Sequence, residues 1–112
     1  MLICPTEGPK ITSDRDAVEL ISQAYQQGAT LIVIPIERLE PDFFELKTRM
    51  AGEVLQKFVN YRLRVAILGD ISGYVSESTS LRDFVYEANR GNQIWFVASL
   101  EELGDRLKQP ML

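Results

Sequence analysis

Apolar residues recur along the chain in two alternating rhythms, and that alternation predicts the fold. Ala17, Leu20, Ile21 and Ala24 fall at i, i+3, i+4 and i+7, which puts all four on one face of a helix. Ser13 stands before this stripe with Asp16 three residues on. The pair is an acidic variant of the capping box, in which the hydroxyl accepts from the Asp16 amide. Gly28 follows the stripe and supplies the left-handed conformation that closes a helix. The rhythm then changes. Residues 30–34 are rich in β-branched side chains and apolar on both faces, as in a central strand covered by helices. Pro35 has no amide to donate, so the strand ends there or lies at an edge.

The alternation returns along the rest of the chain. Residues 41–46 read as a short turn that buries Phe43 or Phe44. Thr48 stands where it can cap a helix reaching about Asn60, whose apolar face is Ala51, Val54, Leu55 and Phe58. Residues 63–68 form the next strand, broken by Gly69-Asp70. Ser80 and Asp83 signal another helix start, and Leu81, Phe84, Val85 and Ala88 repeat the stripe up to Asn89-Arg90-Gly91. Residues 94–98 are a further strand, with Trp95 and Phe96 as core residues. Ser99 and Glu102 cap a last helix carried by Leu100, Leu103 and Leu107 and stopped by Pro110. Residues 1–12 add one or two short strands. The order β-α-β-α-β-α-β-α predicts one α/β domain over residues 1–112. Its sheet is expected to be mainly parallel, or mixed, with helices packed on it through right-handed crossovers.

Composition narrows the function more than it names one. A chain of 112 residues, 46% hydrophobic and 25% charged, is an ordinary globular domain. Its net charge of −4 is the wrong sign for the basic stripe that neutralises nucleic-acid phosphates, so nucleic acid is not an expected partner. It has no histidine and one cysteine, Cys4. An internal disulfide, a thiolate metal cluster and any Ser-His or Cys-His dyad are thereby excluded, and no cofactor or metal is expected. Cys4 itself reads as a small buried hydrophobe. No apolar run approaches the roughly 20 residues of a membrane span, and no signal peptide opens the chain. A cytoplasmic protein without a membrane partner is expected.

Ligands of open α/β sheets bind beyond the carboxyl ends of the strands. Those ends feed residues 37–47, 70–79 and 98–99. The segment 69–80 is long for a βα connection and rich in hydroxyls, with Ser72, Tyr74 and Ser76 following Asp70. It reads as a binding loop or lid, against the plainer reading of a solvated connection. Gly69, Gly73 and Gly91 match neither the phosphate loop nor the dinucleotide fingerprint. Asp70 is the best-placed single carboxylate for catalysis, although a turn residue bonding its own backbone is the favoured account of it. Glu53 and Lys57, four apart, read as a surface ion pair.

Several blocks carry a family resemblance. Residues 43–48 (FFELKT), 51–62 (AGEVLQKFVNYR), 80–84 (SLRDF) and 87–91 (EANRG) resemble a small prokaryotic family, domain-of-unknown-function family 4180, over nearly the whole chain. That resemblance brings no activity with it. It implies a glycine after the threonine, where this chain has Arg49. The order of elements is more distantly similar to the STAS domains of anti-sigma-factor antagonists. Those domains bind a partner kinase or regulator and are switched by phosphorylation at the start of a helix. The resemblance implies Thr48 as the corresponding phospho-acceptor, beside its simpler role as a cap.

Two functions follow as expectations. The first is a non-catalytic regulatory module, STAS-like or antitoxin-like. It binds a protein partner at the edge formed by 37–49 and 70–80, with Thr48, Asp70, Ser72, Tyr74 and Ser76 as the candidate residues. The alternative is a small-molecule-binding or enzymatic domain that uses Asp70 and the hydroxyls of 72–80. A homodimer through the apolar end Met111-Leu112 is a third way for the chain to find a partner.

Overall fold

The computed structural model describes residues 1–108. Four parallel strands form one sheet in the order β1-β2-β3-β4: β1 (Leu2–Ile3), β2 (Leu31–Pro35), β3 (Arg64–Leu68) and β4 (Ile94–Val97). Helices α1 (Asp14–Gln27), α2 (Met50–Asn60) and α4 (Thr79–Arg90) lie in the three connections, a short α3 (Ser72–Glu77) precedes α4, and α5 (Leu100–Lys108) follows β4. The sheet is wholly parallel, which resolves the mixed alternative. Residues 1–12 contribute one strand and one isolated bridge, Ile11 to Leu39. The tail Pro110, Met111 and Leu112 lies outside the described residues.

Strand order equals chain order, and right-handed crossovers then put every connecting helix on the same face. The two cores follow this division. Ala17, Leu20 and Ile21 of α1, Val54, Leu55 and Phe58 of α2 and Leu81 of α4 pack with Ile32, Ile34, Val65, Ile67 and Phe96. The opposite face carries Leu31, Val33, Ala66, Trp95 and Val97, covered through Leu103 of α5. Both faces of β2 are buried along all five residues, as its continuous apolar run requires. Fully burying a side chain such as Phe58 contributes about 1.5–3 kcal/mol.

The helix signals hold in most places. Ser13 accepts from the Asp16 amide at 3.4 Å and Gly28 closes α1 with φ of 68°. Ser99 and Glu102 complete a reciprocal box: Ser99 Oγ accepts from the Glu102 amide at 3.1 Å and Glu102 accepts from the Ala98 amide at 2.7 Å. Three expectations are corrected. Helix α4 begins at Thr79 under Ser78, whose Oγ accepts from the Leu81 amide at 3.1 Å; Ser80 sits inside the helix. Helix α2 begins at Met50 with Arg49 at its N-cap, and Thr48 stands one residue earlier. Lys57 reaches Asp14 of α1 at 3.9 Å, rather than pairing with Glu53. Arg49 has φ of 64°, the left-handed region that favours the glycine implied for this position by the family resemblance.

The free edge of β4 is closed by side chains. Gln93 and Val97 accept from Val65 and Gly69 of the β3 side, so the amides of Ile94, Phe96 and Ala98 face outward. Asn89 of α4 takes both outward groups of Phe96, accepting from its N–H at 2.7 Å and donating to its carbonyl at 3.3 Å. Glu102 takes the amide of Ala98.

Candidate functional site

Parallel pairing of β2 and β3 ends with Pro35 opposite Leu68, so the segments leaving these two strands start side by side. They also touch. Gly69 has φ of 144°, and a Cβ built there would lie 2.6 Å from Ile36 Cγ1. After β2 the chain makes three single turns of 3-10 helix, Ile36–Arg38, Pro41–Phe44 and Leu46–Thr48. The second buries Phe43 and Phe44 together, edge to face at 5.2 Å. After β3 the segment expected to be a loop is largely helical. Asp70 Oδ1 accepts from the Ser72 amide at 2.9 Å and starts α3, a helix that buries no residue of its own.

The two segments meet at an aromatic pair. Phe44 and Tyr74 stack with centroids 4.3 Å apart and planes 14° from parallel. Beside them runs a groove of about 360 Å³ lined by Phe44, Glu45, Leu46, Lys47, Tyr74, Glu77, Ser78 and Ser80. The crevices that hold nucleotides in open α/β sheets form where strand order reverses. This sheet has no reversal, so the groove is made by the connecting segments alone.

Of the five residues singled out from sequence, only Tyr74 lines the groove. Thr48 and Ser76 are turned onto nearby backbone, and Asp70 and Ser72 onto each other. Thr48 Oγ donates toward the carbonyls of Asp42 at 2.7 Å and Glu45 at 2.8 Å, and accepts from the Met50 amide at 3.3 Å. The turn carrying Phe43 and Phe44 is thereby tied to the start of α2. Ser76 Oγ donates to the Gly73 carbonyl at 2.9 Å. Asp70 is fully exposed, and its bonds from the Ser72 amide and hydroxyl hold its carboxyl below the ordinary value. Ser72 is occupied in that same cap. Thus Asp70 is the turn residue of the plainer reading.

Sequence reasoning did not single out Leu46, Lys47 or Glu77 as lining residues, whereas Ser78 and Ser80 fall among the hydroxyls of 72–80. The available signal was Tyr74, an aromatic in a polar run, which needs a partner across the sheet edge. Away from this edge, Cys4 is buried and its thiol is pushed up by desolvation, an effect the nearby Arg38 charge opposes. Among the described residues no three Cys, Asp or Glu side chains gather to hold a metal ion. No helix among them is long and apolar enough to cross a membrane.

A family model described as Domain of unknown function (DUF4180) matches residues 1–107. The chain belongs to this family. The DUF4180 match runs from β1 into α5 and takes in both segments that build the groove. No curated protein and no solved structure matches the chain.

Proposed function

We propose that this DUF4180 domain is a non-catalytic regulatory module that docks a protein partner on the groove between Phe44 and Tyr74. The observation that carries the reading is the contrast at this edge. Thr48, Ser76 and Asp70 are spent on local backbone, while Tyr74, 37% exposed, offers an anchor stacked on Phe44. The surrounding segments are acid-rich: they carry Glu37, Glu40, Asp42, Glu45, Asp70 and Glu77 against the cations Lys47 and Arg49, with Arg38 bonded to the Pro5 and Pro9 carbonyls. The occupant that fits is a partner segment with one aliphatic or aromatic anchor and basic flanks.

The regulatory part of the reading, STAS-like or antitoxin-like in kind, rests on Thr48. Its side chain is exposed, and a phosphate on Oγ removes the O–H that bonds Asp42 and Glu45. That loosens the turn holding Phe44 and adds about −1.5 to −2 charge beside an acid-rich groove. A basic partner would bind more tightly to the modified rim, or differently to the remodelled one. The groove volume of about 360 Å³ also falls within the range of small-ligand sites, which keeps a small-molecule occupant as the second reading.

The test is retention of partners from native cytosol by the tagged domain and by Tyr74→Ala, read by mass spectrometry. The expected result is one protein held at near-stoichiometric level by the parent, released by salt and lost with Tyr74→Ala, whose circular dichroism is unchanged. A retained set indifferent to Tyr74 overturns the groove as the docking site. Native mass spectrometry showing a bound small molecule that Tyr74→Ala loses favours the second reading.

A further inference from the structure

A second cleft lies at the opposite end of the sheet, where β3 and β4 begin. It measures about 400 Å³ and is lined by Val59, Arg62, Leu63, Arg64, Asn92 and Gln93. Its charge is unlike that of the chain, which carries −4 overall. Arg64 is held in position before any ligand arrives. Its Nε donates to the Asn92 carbonyl at 2.9 Å and its Cζ lies 4.5 Å from the centre of the Trp95 ring. Arg106 of α5 stacks over the same indole at 5.1 Å and donates to the Asn89 carbonyl at 3.1 Å.

Part of this arrangement serves the fold. Arg64 bonds the Asn92 carbonyl just past the end of α4 and Arg106 bonds the Asn89 carbonyl in its last turn, where the helix dipole is negative. That explanation uses one nitrogen of each guanidinium. It leaves the terminal nitrogens of Arg64 without a hydrogen bond among the described residues, and it does not touch Arg62 at all. Arg62 sits at φ of 60° in the turn from α2 to β3, its amide donating to the Val59 carbonyl at 3.0 Å. Among the described residues its side chain has no hydrogen bond, and neither Arg62 nor Arg64 has a carboxylate within 4 Å.

We propose that this cleft binds a small ligand through an oxyanion, carboxylate or phosphate, held by Arg62 and Arg64, with its apolar part on Val59 and Leu63. A guanidinium offers a planar fork of N–H donors that matches both oxyanions in two-point geometry. Fixing Arg64 in advance by Trp95 and the Asn92 carbonyl reduces the ordering cost of binding. The site is separate from the Phe44–Tyr74 groove and stands or falls independently of it.

The experiment is a titration of the ¹⁵N-labelled full chain with inorganic phosphate, phenyl phosphate and benzoate, followed by ¹H–¹⁵N NMR. Saturable shifts are expected at the Asn92 and Gln93 amides and the Arg64 Nε–H, with Kd on the order of 1 mM or tighter for at least one probe. Benzoate and the phosphates then tell which oxyanion is preferred, and phenyl phosphate against phosphate tells whether the apolar floor contributes. Arg62→Gln, which breaks no bond of the fold, should weaken binding about tenfold. Arg15→Gln, a distant surface arginine, should leave it unchanged. Shifts that stay linear with every probe, or that weaken equally in Arg62→Gln and Arg15→Gln, overturn the proposal.

Discussion

Replacing Asn89 by alanine tests the closure of the β4 edge. The substitution removes two bonds at once, the acceptor for the Phe96 amide at 2.7 Å and the donor to its carbonyl at 3.3 Å. Phe96 is 6% exposed, so water reaches these groups poorly. The Phe96 N–H, bonded closely and then left without a partner, costs about 1–3 kcal/mol, while its carbonyl, held only at 3.3 Å, adds little. Alanine recovers roughly 0.6 kcal/mol through its better helix propensity within α4. The net loss is then about 1–2 kcal/mol. A domain of this length has an unfolding entropy that converts 1 kcal/mol into about 4 °C, so the melting midpoint should fall by about 4–8 °C. The assay is thermal unfolding by circular dichroism, paired with hydrogen exchange at the Phe96 amide, which should become one of the faster sites in the sheet. Asn89→Asp keeps the acceptor, sets an anionic oxygen against the Phe96 carbonyl, and should preserve slow exchange at Phe96 while still lowering stability. A midpoint within about 1 °C of the parent, with Phe96 exchange unchanged, would refute the reasoning. The opened edge also presents unpaired backbone to other chains, so light scattering should register association of Asn89→Ala at high concentration.

Gly69→Ala should destabilise by about 2–3 kcal/mol, because φ of 144° is strained for any side chain and the new methyl would meet Ile36 at 2.6 Å. A urea midpoint equal to that of the parent would contradict the close approach of the two segments. Asp16 is held below its ordinary value chiefly by the Thr12 amide; desolvation opposes this as the next largest effect, and the Thr12 hydroxyl and Ser13 add to the lowering. The folded state therefore favours its carboxylate. The resulting stability is complete above the unfolded-chain value of about 3.9 and disappears as pH falls through the lower folded value. Asp16→Asn should lose that acid-side step, so the two proteins differ at neutral pH and converge in acid; a constant difference across the titration would count against the bond.

What could be read from the chain is what repeats along it. The stripes of α1, α2 and α4 and the apolar runs of β2, β3 and β4 follow from periodicity. Helices α1 and α2 each bury all four assigned residues, while α4 buries Leu81 and half-buries Phe84, Val85 and Ala88. Helix α3 escaped because six residues containing Gly73 and burying none of themselves show no stripe; Asp70 and the ring of Phe44 across the edge hold it. The start of α4 was displaced by two residues because Ser76, Ser78, Thr79 and Ser80 are rival caps. Ser78 is the one with extended backbone preceding the helix, a choice no local pattern encodes. The candidate edge was legible as a place, but not as a chemistry. Thr48, Asp70 and Ser76 look like free polar groups in sequence and are bonded to their own turns in space. The cleft of Arg62 and Arg64 depends on β3 lying beside β4, which strand order decides.

Strand order that follows chain order has a consequence for synthesis. A chain leaving the ribosome from its N-terminus can lay each new strand against the outer side of the last, and no strand has to be threaded between two that are already joined. The first substantial pairing, β2 with β3, needs only the chain up to Leu68. The helix-covered face grows with it, one βα unit at a time. The other face has no cover until α5 emerges, so the row of Val33, Ala66 and Trp95 stays uncovered by Leu103 until that helix has been made. The nascent domain is therefore most exposed to aggregation just before α5 is released, and a chaperone that holds it has one apolar sheet face to recognise.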